Sequence, residues 1–196
     1  YLEATVGGGI PIIRTLIDSM QANNVERVMG IINGTTNYIL TKMAEEGRAF
    51  DEVLQEAQRL GYAEANPTAD VEGYDAMYKL SILSSLAFHA HMPIDAIYRE
   101  GITKLTAEDF EAAELLGYEI KLLAIGKKNG HAIEVRVHPT MVPKAHPLAS
   151  VRGVFNAIFL TGHAVGDVML YGRGAGCMPT ASAVMSDVIY ACHAGG

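Results

Sequence analysis

Cysteine is scarce, with two residues in a chain of 196, Cys177 and Cys192. Both fall in a stretch patterned as one helix, where their spacing puts them about 22 Å apart, too far for a disulfide. They are expected to be buried small apolar residues in a protein of the reducing cytoplasm. Positive charge is also short: 15 Lys and Arg against 22 Asp and Glu leave a net charge of −7, and the pI is near 5.4. A nucleic-acid partner needs a basic face, and no run supplies one. Nor does any run approach the ~18 uncharged apolar residues of a membrane span. No signal peptide is visible. Neither nucleic acid nor membrane is therefore an expected partner. Internal repeats, low-complexity stretches and linkers are missing as well.

What is present is 49% apolar and 19% charged residues, the balance of one well-buried globular domain with at most a small appendage. The opening YLEATVGGG is apolar and reads as the middle of a protein, so a fragment is expected. Apolar positions from Ile10 to Ala22 recur at helical spacing, with Pro11 in the first turn. Val25–Asn33 is β-branched and reads as a strand. Thr35–Glu46 and Phe50–Leu60 predict helices ending at Gly47 and Gly61. After a turn-rich Gly61–Ala69, Asp70–His89 predicts the longest helix. Thr106–Leu116 follows, with Thr106 and Asp109 spaced close to a capping box. Strands are predicted at Tyr118–Lys127, Ala132–Val142, Gly153–Leu160 and about Ala164–Tyr171, the first two joined by the hairpin signal Asn129-Gly130. A last helix spans about Met178–Cys192. Helices first and antiparallel strands later predict an α+β fold, a mixed or largely antiparallel sheet with helices packed on one face.

The chemistry concentrates in GYAEANPTADVEGYDAMYK, Gly61–Lys79. Asp75 and Lys79 are four apart and share a helix face, with Ile82 and Leu83 continuing the stripe at i+3 and i+4. Desolvation there lowers a lysine's pKa while the acid raises it, an opposition common where a side chain exchanges protons with a substrate. Glu64 and Asp70 bring three carboxylates towards one lysine. The same spacing equally describes a surface salt bridge worth ~0.3–0.5 kcal/mol, with Asp70 as a helix N-cap. Gly7–Gly9 is either a flexible entry to a helix or a turn offering amides and carbonyls to an ion. Gly172–Gly176 (GRGAG) lacks the G-x-G-x-x-G spacing of a dinucleotide fingerprint. His89 and His91 lack the i, i+4 spacing of a helical metal pair and read as structural.

EATVGGGIPII, NGTTNYIL, the Gly61–Lys79 segment, GRGAG and MPTASAVMSDVI, in that order and spacing across the whole chain, resemble homoserine dehydrogenase. The resemblance implies a domain similar to the C-terminal catalytic domain of two-domain dehydrogenases. It implies NAD- or NADP-dependent interconversion of aspartate semialdehyde and homoserine, on the route to threonine, methionine and isoleucine. Lys79 is then the acid/base. Glu64 and Asp75 hold an amino-acid substrate, with Asp70 and Thr35 lining the same pocket. Gly61 and Gly176 match positions where the cofactor approaches the backbone, and Glu3, Val6, Gly8 and Ile10 match a sodium site built largely from carbonyls. Residues 1–172 correspond to the catalytic and dimerisation domain of a homodimer or homotetramer. Residues 173–196 correspond to a helix that packs back onto a nucleotide-binding domain absent here. The fragment alone is accordingly expected to be inactive or slow. One departure is Asn66, where the family often carries an acid. Two other readings need less. A non-catalytic oligomerisation module requires only a sheet with one apolar face. An aspartate-semialdehyde dehydrogenase requires a nucleophilic cysteine, for which no histidine is convincingly placed.

Overall fold

The computed structural model describes residues 1–130 and 132–194. Its centre is a six-stranded sheet of β1 (Val25–Ile31), β2 (Tyr98–Arg99), β3 (Tyr118–Asn129), β4 (Ala132–Pro143), β5 (Phe155–Gly162) and β6 (Gly166–Arg173). The order is β2-β4-β3-β1-β5-β6. The β2–β4 pairing is parallel and the other four are antiparallel, so the sheet is mixed as expected. β3 and β4 form the predicted hairpin, closing at the pair Asn129↔Ala132.

Side chains alternate across the strands. Val28, Leu122, Ala124, Ile158 and Leu160 point into the main core. Ile31, Leu123, Ile125, Ala157 and Phe159 point to the other side, where a smaller cluster lies under the 3₁₀ turn Pro147–Ser150. The main core is closed by α2 (Gly34–Glu46), α3 (Phe50–Arg59), α5 (Tyr74–Phe88) and α6 (Ala107–Leu115); α1 (Ile12–Arg14) precedes them all, and the short α4 (Thr68–Val71) lies between α3 and α5. Leu80 and Leu83 of α5 are fully buried, each worth ~1.5–3 kcal/mol relative to exposure. A final helix, α7 (Cys177–Ala194), runs along the amino-terminal segment, tied to it by the Arg14–Asp187 ion pair at 2.9 Å.

Several expectations are corrected. The helix predicted from Ile10 to Ala22 is one α-turn that widens over Thr15–Ser19, where the Met20 amide reaches back to the Thr15 carbonyl at 2.9 Å. The single helix predicted for Asp70–His89 is two, because Gly73 adopts φ +81° between α4 and α5, a left-handed conformation that costs a side chain ~1–2 kcal/mol. Asp70 therefore caps nothing; it lies inside α4, whose N-cap is Pro67. β5 and β6 start two residues later than predicted. Asn23 Oδ1 accepts the amides of Ala164 and Val165, and the His163 amide donates to the Asn24 carbonyl, which makes residues 163–165 the turn. β2, two residues long, carries no periodic signal and was not anticipated. Cys177 and Cys192 are exposed, not buried. The outward face of α7 lies open, with Met178, Val184, Met185, Val188 and Ile189 all exposed.

Candidate active site

The site forms where β1 runs into α2. Asn33 is the N-cap of α2, its backbone extended and its Oδ1 accepting the Thr36 amide at 2.9 Å. The same side chain turns its Nδ2 to two carboxylates, Asp70 Oδ1 at 2.7 Å and Asp75 Oδ2 at 2.9 Å. Asp75 opens α5, and Lys79 sits one turn on. The Lys79 Nζ donates to Asp75 Oδ2 at 2.7 Å and to the Ile32 carbonyl at 3.1 Å. The predicted i, i+4 pair is thus made, with both side chains less than a third exposed. Burial raises the Asp70 pKa from its ordinary value; Asn33 and Lys79 counter this, while the charges of Asp75 and Glu64 add to it.

These groups line a cleft of about 400 Å³, with Thr35 and Gly61 on one wall and Arg173 to Gly176 on another. Thr35 Oγ1 donates to the Tyr62 carbonyl at 2.5 Å, which ties the start of α2 to the loop after α3. The opposite wall is held by a contact between segments far apart in sequence. Gly9 N–H donates to the Arg173 carbonyl at 3.0 Å. A Cβ on Gly8 would lie 2.5 Å from the Gly174 carbonyl oxygen. The two glycine-rich segments noted in the sequence are therefore partners, and neither backbone tolerates a side chain at that crossing.

Of the residues singled out from the sequence, Lys79, Asp75, Asp70, Thr35, Gly61 and Gly176 meet in this one cleft. Glu64 does not line it; it is exposed on the lip, and its carbonyl accepts Gln58 Nε2 at 3.0 Å. Glu3, Val6, Gly8 and Ile10 are buried together behind the glycine crossing. The Glu3 carboxylate is already engaged, accepting the amides of Ile13 at 2.9 Å and Arg14 at 2.8 Å. Among the described residues, no donor reaches the carbonyls of Val6 and Gly8, whereas the Ile10 carbonyl accepts the Ile12 amide.

Sequence reasoning missed Asn33, Asn156 and Arg173. Asn33 carried a signal, an Asn directly before a helical pattern, but it was absorbed into the predicted strand. Asn156 is the one buried polar residue of β5. It is 1% exposed, with an unpartnered Oδ1, and lies against Gly174, where an added Cβ would sit 1.8 Å from its Nδ2.

A mixed sheet with its helical layer on one face, and a cleft of two acids and a lysine under a glycine rim, define an α+β domain with one candidate active site. The family model described as homoserine dehydrogenase matches residues 11–189. The chain belongs to the homoserine dehydrogenase family. It is 54% identical over 187 residues to the homoserine dehydrogenase of Neisseria gonorrhoeae, covering 95% of this chain and 43% of the relative. The enzyme of Synechocystis is 55% identical over 192 residues, covering 96% and 44%. The crystal structure of a homoserine dehydrogenase from Thiobacillus denitrificans superposes with a TM-score of 0.94 at 54% identity, over 95% of this chain and 43% of that one. A hyperthermophilic archaeal homoserine dehydrogenase in complex with NADPH gives 0.80 at 34% identity, over 95% and 53%. The chain thus spans less than half the length of the two curated relatives named here. Membership of this family is what favours the dehydrogenase reading over an oligomerisation module or an aspartate-semialdehyde dehydrogenase.

Proposed function

We propose that this chain is the substrate-binding and catalytic part of an enzyme that interconverts L-homoserine and L-aspartate 4-semialdehyde with NAD or NADP. The observation that carries the reading is one cleft holding Lys79, Asp75 and Asp70 against a backbone rim of glycine. Lys79 keeps one of its three N–H donors beyond those given to Asp75 and Ile32. That donor delivers a proton to the carbonyl oxygen as negative charge develops on it, and the reverse transfer serves homoserine oxidation. Asp75 and Asp70 offer carboxylate oxygens to the substrate's ammonium group, Glu64 adds negative charge at the lip, and Thr35 shapes the wall.

The residues present fit a dinucleotide at the rim. A Cβ on Gly61 would meet nothing within 4 Å, and one on Gly176 nothing closer than 3.4 Å, so a flat group can approach the backbone at both. When bound, the cofactor supplies or accepts the hydride. The exposed apolar face of α7 supports assigning residues 173–196 to contact with a nucleotide-binding domain, and residues 1–172 to substrate binding and dimerisation. Met29, Phe155 and Met169, half-buried on the side of the sheet opposite the α2–α6 layer, support a homodimer or homotetramer formed through that side. The unengaged carbonyls of Val6 and Gly8 support a sodium site completed by the carbonyls of Glu3 and Ile10. No described helix is long and apolar enough to cross a membrane, and a biosynthetic enzyme of this kind belongs in the cytoplasm.

The test is homoserine oxidation by the chain in its full reading frame, with and without Lys79→Ala. A loss of roughly 10²–10⁴ in kcat is expected for removal of a general acid. An unchanged kcat sinks the assignment. The 196-residue chain alone is expected to turn over slowly or not at all.

A further inference from the structure

Two adjacent residues at the β1–α2 junction touch every ionisable group on the cleft floor. The Ile32 carbonyl takes the Lys79 ammonium, and the Asn33 carboxamide takes both Asp70 and Asp75. Asn33 is 6% exposed and fully used. Its two N–H donors go to the two acids, and its Oδ1 accepts both the amide and the hydroxyl of Thr36 at 2.9 Å. An N-cap needs only the oxygen, which Ser, Thr or Asp supplies as well. The pair of donors is what the cap does not explain, and no other good N-cap side chain carries two.

Asp70 comes from α4 and Asp75 from α5, two helices set at an angle by Gly73. Their like charges oppose close approach, and the carboxamide places one donor on each. Asp75 Oδ2 then receives Asn33 and Lys79 together. Among the described residues, Asp70 Oδ2 and Asp75 Oδ1 take no hydrogen bond. Two acceptor oxygens are thus left beside a lysine whose direction is set.

We propose that Asn33 is the positioning residue of this cleft. Its carboxamide sets the spacing of Asp70 and Asp75 and, through Asp75, the direction in which Lys79 presents its proton. The role rests on the cleft being the homoserine dehydrogenase site. The other charges facing the cluster are Glu64 on the lip and Arg173 at the end of β6.

Asn33→Ser and Asn33→Asp in the full reading frame separate the two duties of the residue. Both keep an oxygen for the Thr36 amide, and both lose the twin donors. The expected result is a fall of about 100-fold in kcat/KM for homoserine, the cost of a misplaced catalytic group. For Asn33→Ser the melting temperature should stay within about 4 °C, because the cap survives; Asn33→Asp should melt lower, because it sets a third carboxylate against two others. The acid limb of the pH profile should move upwards, further for Asn33→Asp, which adds a third carboxylate. Independently of turnover, the Asp70 carboxyl, followed by NMR after ¹³Cγ-aspartate labelling, should titrate at higher pH in Asn33→Ser than in the wild type. Wild-type kcat/KM in both variants, or an Asp70 titration that does not move, overturns the role of Asn33. A wild-type protein that titrates as expected yet does not oxidise homoserine rejects the enzymatic reading and leaves Asn33 as the organiser of the cluster.

Discussion

Replacing Lys121 by Met should stabilise the chain at neutral pH and cease to do so in alkali. Lys121 is on β3, on the side of the sheet under the turn Pro147–Ser150, and is only 1% exposed. Its Nζ makes one hydrogen bond, to the Val151 carbonyl at 2.7 Å. Burial pushes its pKa down from 10.5 to about 8, and Arg152 adds to the fall while Glu119 and Glu45 oppose it. That drop corresponds to about 3 kcal/mol of penalty for holding the charged form in the folded state. Below pH 8 both folded and unfolded chains carry the proton, and the penalty is fully present. Between pH 8 and 10.5 only the unfolded chain binds it, so the wild type gains stability as pH rises; above 10.5 the penalty is gone. Met fills similar space with no charge. It forfeits a charged hydrogen bond worth ~1.5–3 kcal/mol, but the Val151 carbonyl keeps Asn37 Nδ2 at 3.3 Å. A net gain of about 1 kcal/mol is expected at pH 7, turning into a loss near pH 10.5. Urea unfolding of both chains at pH 7, 8.5 and 10 measures the difference directly. A difference that is constant with pH would falsify the burial argument, and a wild type that is the more stable at pH 7 would show the hydrogen bond to be the larger effect.

Gly73→Ala should cost ~1–2 kcal/mol through its left-handed backbone alone, because an added Cβ meets nothing nearer than 3.5 Å; thermal melts will show whether the break between α4 and α5 is required. Glu3→Ala should cost about 2–3 kcal/mol by leaving the amides of Ile13 and Arg14 without their acceptor. Glu3→Gln, which keeps one acceptor, should cost less in the same measurement. If sodium stabilises the protein, Glu3→Gln should leave that dependence intact, since the proposed ligand is the carbonyl.

Much of the cleft was legible because it rests on short-range geometry. Asp75 and Lys79 share a face at i, i+4 whatever surrounds them, and the structure keeps them 2.7 Å apart. Strand alternation and the Asn129-Gly130 turn likewise announce the hairpin. The errors share a cause. The alternative reading of Asp70 as a helix N-cap fails because a continuous helix hides what a left-handed Gly73 does to its start. The pattern of α7 is that of a buried helix and puts Cys177 and Cys192 inside, yet its outer face packs on nothing within the described residues. The strand pattern runs on through Asn33, although its side chain belongs to the helix that follows.

The sequence by itself determined an α+β domain with a mixed or largely antiparallel sheet, one acid–lysine pair on a helix face and two glycine-rich segments near the ends. Each is written in residues close together in the chain, where spacing alone dictates geometry. Only the tertiary structure decided that the Gly7–Gly9 and Gly172–Gly176 segments cross, that Glu64 stays on the lip, and that Asn33 joins Asp70 to Asp75. Those contacts join residues 37 to more than 160 positions apart. They exist because the sheet and the helices above it must bury their apolar faces together, and no local pattern records where that packing brings two distant side chains to meet.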